Sequence, residues 1–185
     1  MELLRAIKNN QKVRVNTSAD LVDTYGESVY KFCRSLTYSK EDADDLFQET
    51  FLKVLEQSYK ASARNNPKGF LFSTALYLWK SWKRKVARRS RIVPVGPLDE
   101  TAASDVDVEG SYVAREDRRI VRELVDALPE KYKIPIILFY TIELGVSDIA
   151  SVLKLPAGTV KSRLHKARKL IEEGLVKNGY EEQKS

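Results

Sequence analysis

Residues 158–168 read Gly-Thr-Val-Lys-Ser-Arg-Leu-His-Lys-Ala-Arg, a run rich in long-armed hydrogen-bond donors. Set on a helix at about 100° per residue, Val160, Leu164, Ala167 and Ile171 fall within roughly 60° of one another and form a narrow apolar stripe. Lys161, Ser162, His165, Lys166 and Lys169 share another face, spread over about 140°, and Arg163 adds a cation to the same run. A helix of this kind can dock on a small domain by its apolar edge while its basic edge lies in a DNA groove. On its own, the segment fits a surface helix with a solvated lysine face equally well.

Two further blocks carry chemistry. Residues 60–91 hold ten Lys or Arg and no Asp or Glu, interleaved with Phe70, Phe72, Tyr77, Trp79 and Trp82. Lys80, Arg84, Arg88 and Arg91 lie on one helical face, and Tyr77 joins them. Such cations neutralise phosphates, and exposed aromatics stack on unpaired bases at about 1–3 kcal/mol per base. Single-stranded or melting DNA is the ligand this suits. Phe70, Phe72 and Trp79 are assigned to the core, which leaves at most two of the five aromatics for nucleic acid. Residues 41–56, by contrast, carry six acidic groups and one lysine. Ala43, Phe47, Thr50 and Val54 make their core stripe, while Asp42, Asp45, Glu49 and Glu56 gather on another face with Lys53. Grouped carboxylates serve as a solvated face, a metal site or a docking surface. With no histidine nearby a metal ranks low, and Leu52 at the margin favours a protein partner, for which the charges set approach and register.

Composition bounds the rest. The 185 residues suffice for one ordinary domain or two small ones, and net charge is +6. Cys33 and His165 are the only residues of their kinds. A disulfide within the chain is therefore impossible, no metal or cofactor is expected, and Cys33, among Tyr30, Phe32 and Leu36, reads as a small core residue. No phosphate-binding glycine loop or nucleophile–base pair points to an enzyme. No apolar run reaches the ~20 residues of a membrane span, and Met1-Glu2-Leu3-Leu4-Arg5 lacks a secretory stretch, so the expectation is a cytoplasmic protein without membrane insertion.

The elements that must position these residues are helical nearly throughout. The pattern predicts helices over 3–10 and 18–36, then one capped by Ser39 and running to about Ser58. Asn65-Asn66-Pro67 breaks the chain before a long helix from Pro67 to about Arg91. Residues 92–112 hold Pro94, Gly96, Pro97 and Gly110 among small and acidic side chains and read as a linker. Helix resumes near Val113 and runs to Leu128. Pro129 opens the next helix, with a kink expected at Pro135. Helices over 145–154 and 156–175, joined by a Leu155-Pro156 turn, have helix-turn-helix proportions, with Ile149, Ala150 and Leu153 facing inward. The fold class is all-α: small helical domains over 1–92 and 115–185, joined by a flexible acidic linker over 93–114.

Together, Asp44-Asp45-Leu46-Phe47-Gln48-Glu49-Thr50-Phe51-Leu52, the basic aromatic block and Gly158–Arg168, in this order, closely resemble a small extracytoplasmic-function (ECF) sigma factor of bacterial RNA polymerase. The resemblance covers nearly the whole chain. It implies that residues 1–92 bind core polymerase through the β′ coiled coil, with Asp45, Gln48, Glu49 and Leu52 at the contact. The same domain would open the minus-ten element, with Asn65, Asn66, Tyr77, Lys80, Arg84 and Arg88 on the DNA. Residues 115–185 would bind the β flap and the minus-thirty-five element, the latter through Lys161, Ser162, Arg163, His165, Lys166 and Lys169. An anti-sigma factor is implied as inhibitor. The chain departs from the family at Leu76-Tyr77, where many relatives carry Arg-Asn, at Gly145 in place of a capping serine, and at Lys154 in place of a turn glycine. A stand-alone helix-turn-helix regulator of duplex DNA is the rival from another class; it accounts for 145–175 but for neither of the other blocks.

Overall fold

The computed structural model describes residues 18–37, 39–57, 66–92 and 112–180. The helix expected over 3–10, Asn65 and most of the proposed linker lie outside the described residues.

Three helices make the first half. In α1 (Ser18–Leu36) the buried residues Leu21, Val29, Phe32, Cys33 and Leu36 recur at helical spacing, with Asp20 in the first turn and Arg34 in the last, as the helix dipole favours. Ser39 caps α2 (Lys40–Gln57) as expected: the Asp42 N–H donates to Ser39 Oγ at 3.0 Å. Asn66 caps α3 (Pro67–Ile92) in the same way, accepting from the Gly69 N–H at 2.8 Å. A Cβ at Gly69 would come within 2.7 Å of the Asn66 side chain, so a larger residue there would have to push the cap aside. The helices close on Phe32, Phe72, Leu71, Val29 and Val54, all nearly inaccessible, with Phe32 and Phe72 edge to face at 5.4 Å. The expected stripe of α2 is buried at Ala43, Thr50 and Val54. Phe47 is only half-buried, and Leu46 and Phe51 join the core.

The second half comprises α4 (Tyr112–Asp126), α5 (Glu130–Ile136), a π-helical turn (Ile137–Thr141), α6 (Val146–Leu153) and α7 (Ala157–Lys177). Four sequence expectations need correction. First, α4 starts at Tyr112, inside the stretch 93–114 assigned to the linker, because nothing after Gly110 breaks a helix; it ends at Asp126 rather than Leu128. Second, Pro129 and Pro156 stand at the N-cap positions of α5 and α7, with extended ψ of 140° and 143°, one residue before the helix proper. Third, the kink expected at Pro135 is a change of helix type: directly after it the Ile142 N–H reaches back five residues to the Ile137 carbonyl at 3.2 Å. Fourth, α6 buries Ile149 and Val152, leaving Ala150 and Leu153 half-buried. Residues 149 and 152 are one turn apart on the buried side of α6.

Close packing joins the ends of this half. The Lys133 ammonium, buried at the start of α5, pairs with Asp126 at 2.6 Å. Gly174 lets α7 approach α4: a Cβ there would lie 2.4 Å from Leu124 Cδ2. The halves also touch, α6 resting on α3, the π-turn on α1, and Lys83 pairing with Glu130.

Candidate nucleic-acid and polymerase interfaces

The helix-turn-helix is set by three backbone choices. Gly145 supplies an extended N-cap to α6, with φ −64° and ψ 156°. Lys154 ends α6 in the left-handed conformation, with φ 53° and ψ 48°, which lets the Leu155 N–H bond the Ala150 carbonyl at 3.0 Å. Pro156 then turns the chain into α7. Val160, Leu164 and Ala167 are buried beneath that helix, which fixes its rotation. Lys161, Ser162, His165, Lys166 and Lys169 consequently stand exposed on its outer side, as the sequence predicts, while Arg163 lies half-buried at the flank. Ser162 donates its hydroxyl to the Thr159 carbonyl at 3.0 Å, and its oxygen retains the capacity to accept.

The sequence reading missed a cation on this helix. Arg168 lies within about 60° of Lys161 and His165 on the wheel. Its Nε–H donates to the Tyr140 hydroxyl at 2.8 Å, and its guanidinium lies 5.5 and 5.7 Å from the ring centres of Phe139 and Tyr140. The sequence signal was the spacing 161, 165, 168; the π-turn that delivers Tyr140 left none.

On α3 the stripe Tyr77, Lys80, Arg84 and Arg88 spans about 80° of the wheel and is exposed throughout, Tyr77 at 61%. Leu76, its neighbour, is buried. Of the five aromatics, Phe72 and Trp79 belong to the core, Phe70 is half-buried, and Tyr77 and Trp82 are exposed. Trp82 is on another side, however, facing Asp45 and Glu49 across a small hollow. Lys83 is likewise turned from the stripe, over the Trp79 ring at 4.8 Å. Asn66 sits exposed at the head of α3 with its side-chain oxygen committed to the cap.

On α2, Asp45, Gln48, Glu49 and Leu52 occupy one stripe and are all exposed, Leu52 at 61%. They form a ridge between two hollows. Toward α1 lies an open groove of about 440 Å³, floored by Val22, Gly26 and Phe47 and edged by Gln48. Toward α3, Asp45 and Glu49 edge the smaller hollow beside Trp82. Asp44, one residue off the ridge, is used internally: it accepts from the Tyr30 hydroxyl at 2.7 Å, and that hydrogen bond raises the phenol above its ordinary range. Glu56, one turn beyond Leu52 on the same side, is paired with Lys53 at 3.3 Å. Cys33 is sealed in the core, where burial pushes its thiol up to about 12, a setting for packing rather than nucleophilic chemistry. Among the described residues no three metal-ligating side chains cluster, and no helix is long and apolar enough to cross a membrane.

The chain matches two family models, sigma-70 region 2 over residues 21–89 and sigma-70 region 4 over residues 118–171. Among relatives, the ECF RNA polymerase sigma factor SigW of Bacillus subtilis is 26% identical over 95% of this chain and 97% of its own length. The ECF RNA polymerase sigma-E factor of Haemophilus influenzae is 30% identical over 72% of this chain and 75% of its own. In fold, the chain is similar to the sigma factor RpoE of Bartonella quintana, solved in complex with the anti-sigma factor NepR, with a TM-score of 0.67 at 22% identity over 84% of this chain and 94% of that one. It is also similar to CnrH, solved with the cytosolic domain of CnrY, with a TM-score of 0.59 at 19% identity over 94% of both chains.

Proposed function

Because the chain belongs to the ECF sigma factors of the sigma-70 family, we propose that it binds core RNA polymerase and directs it to a specific class of promoters. Residues 1–92 act as the core-binding and minus-ten domain. The second domain, which begins at Tyr112 with α4, reads the minus-thirty-five element and contacts the β flap. The ridge Asp45, Gln48, Glu49 and Leu52 meets the β′ coiled coil. Its charges suit a basic helix, and Leu52 supplies the apolar contact that holds once the charges have steered the approach. The stripe Tyr77, Lys80, Arg84 and Arg88 holds the melted strand, and Lys161, Ser162, His165 and Lys166 face the groove of the upstream duplex, with Arg163 and Lys169 beside them. Asn66 acts at the minus-ten element by shaping the head of α3. An anti-sigma factor that covers these surfaces is part of the proposal, supported by the similar sigma factor RpoE of Bartonella quintana, solved with such a partner.

One observation carries this reading: a single chain exposes an acidic ridge and two basic stripes on three different helices. A stand-alone regulator of duplex DNA has a use for the stripe on α7 alone.

The test is reconstitution. Added to core polymerase lacking any sigma factor, the protein should form a holoenzyme and yield promoter-dependent transcripts from a library of genomic fragments. Glu49→Lys should weaken the complex with core at least tenfold at unchanged helix content, since it reverses a charge on the ridge. Failure of the wild-type chain to bind core overturns the proposal.

A further inference from the structure

We infer that Arg168 is a phosphate clamp at the edge of the upstream duplex, positioned by the hydroxyl of Tyr140; this rests on the reading of α7 as a groove-entering helix.

Helix geometry sets the ligand. From Ala157, a rise of 1.5 Å per residue puts Lys161 about 6 Å along α7, His165 about 12 Å and Arg168 about 16 Å. The major groove is about 12 Å wide. A helix-turn-helix reads base edges with the N-terminal residues of its second helix, so a side chain at the edge of that face, about 16 Å along, meets the sugar-phosphate backbone that bounds the groove.

The state of the guanidinium sets the contact. Arginine has five N–H donors in a fixed fork. Here Nε–H is spent on Tyr140, and the rings of Phe139 and Tyr140 lie beside the plane. The four Nη hydrogens remain, in the geometry that grips two oxygens of one phosphate. Among the described residues no carboxylate pairs with Arg168, although Glu172 lies one turn on. Other surface cations do have such partners: Lys31 pairs with Glu27, Lys83 with Glu130 and Arg119 with Glu123.

The brace has its own cost, which a structural role alone does not explain. Tyr140 is 56% exposed, with an apolar ring displayed to solvent by the widened π-turn. Held this way, Arg168 loses little rotamer freedom when it meets its ligand, the usual route by which preorganisation raises affinity.

The experiment measures binding of the reconstituted holoenzyme to a promoter duplex over a range of salt. Arg168→Ala should weaken binding about tenfold, equally for every minus-thirty-five sequence, and should reduce the slope of log K against log salt by about 0.9, one phosphate's worth. Arg168→Lys should keep the slope while losing part of the affinity. Tyr140→Phe should weaken binding a few-fold, and should have no further effect in the Arg168→Ala background. A lower melting temperature for Arg168→Ala with an unchanged salt slope would show a brace between the π-turn and α7 and overturn the proposal. So would weakened binding to core polymerase at unchanged slope, which would make the ligand a protein. Absence of salt-dependent promoter binding by the wild-type holoenzyme overturns the broader reading and the clamp with it.

Discussion

The stripes on α3 and α7 carry similar charge on helices whose opposite edges are buried, yet the proposed function gives them different ligands. On α3 the row is Tyr77, Lys80, Arg84 and Arg88: three long cations and one exposed ring, with Ser73 one turn earlier half-buried and its hydroxyl on the Phe70 carbonyl. On α7 short and medium donors, Ser162 and His165, stand among the lysines, Ser162 is tied to the Thr159 carbonyl, and Arg168 is pinned by Tyr140. The difference teaches what each ligand demands. A melted strand has no fixed groove, so mobile cations that follow the backbone and a π-face that accepts any base are the suitable groups. A duplex presents donors and acceptors at fixed spacing, so fixed side chains discriminate best.

Removing all three cations of α3 is the strongest way to break this comparison. Lys80, Arg84 and Arg88, each replaced by alanine, should reduce open-complex formation by the holoenzyme on the order of a hundredfold. The salt slope for a single-stranded minus-ten probe should fall by about 2, from three phosphates at about 0.7 each. Binding to core polymerase should be unchanged, because the ridge on α2 faces elsewhere. Filter binding with duplex and single-stranded probes measures both quantities; equal losses on the two probes would erase the distinction between the stripes.

Tyr77 sharpens the comparison at the level of one residue. At Leu76-Tyr77, where the chain departs from the family pattern it resembles, a buried leucine is followed by an exposed ring, so α3 offers stacking in place of base-edge hydrogen bonds. Tyr77→Leu should lower affinity for a pre-melted template by about 1–3 kcal/mol, while Tyr77→Phe should bind nearly as wild type. A Phe variant as weak as the Leu variant would make the hydroxyl, and not the ring, the contact.

How much of this was legible in the sequence follows the range of each interaction. Ser39, Asn66 and Pro67 act on the next turn of chain, and the ends of α1, α2 and α3 fall within about a residue of where those signals put them. The exposed ridge on α2 and the stripes on α3 and α7 follow from helical periodicity, which is equally local. What escaped depends on partners far away in sequence. The hollows beside the ridge are made by α1 and α3. Arg168 takes its meaning from Tyr140, twenty-eight positions earlier. The π-turn itself is invisible to a period of 3.6, because one extra residue per turn shifts the following faces without changing composition. The same limit explains α6, where tertiary packing buries Val152 in place of Ala150 as the second core residue.

The smallest effect concerns the turn that presents α7. Lys154 holds a left-handed conformation, φ 53°, at a site where its Cβ crowds the following carbonyl, while its side chain is exposed. Glycine has no such crowding, although it loses more backbone freedom on folding, and the two terms differ by about 1 kcal/mol in favour of glycine. Lys154→Gly should therefore raise the melting temperature by about 2–4 °C for a chain of this size. If the stripe on α7 works because its donors are already fixed by burial of Val160, Leu164 and Ala167, relaxing the turn should leave promoter affinity within about twofold of wild type apart from the loss of one exposed charge. A tighter-folded variant with markedly poorer discrimination among minus-thirty-five sequences would place part of the reading in the strained turn itself, and the contrast with the mobile cations of α3 would then rest on backbone strain as well as on side chains.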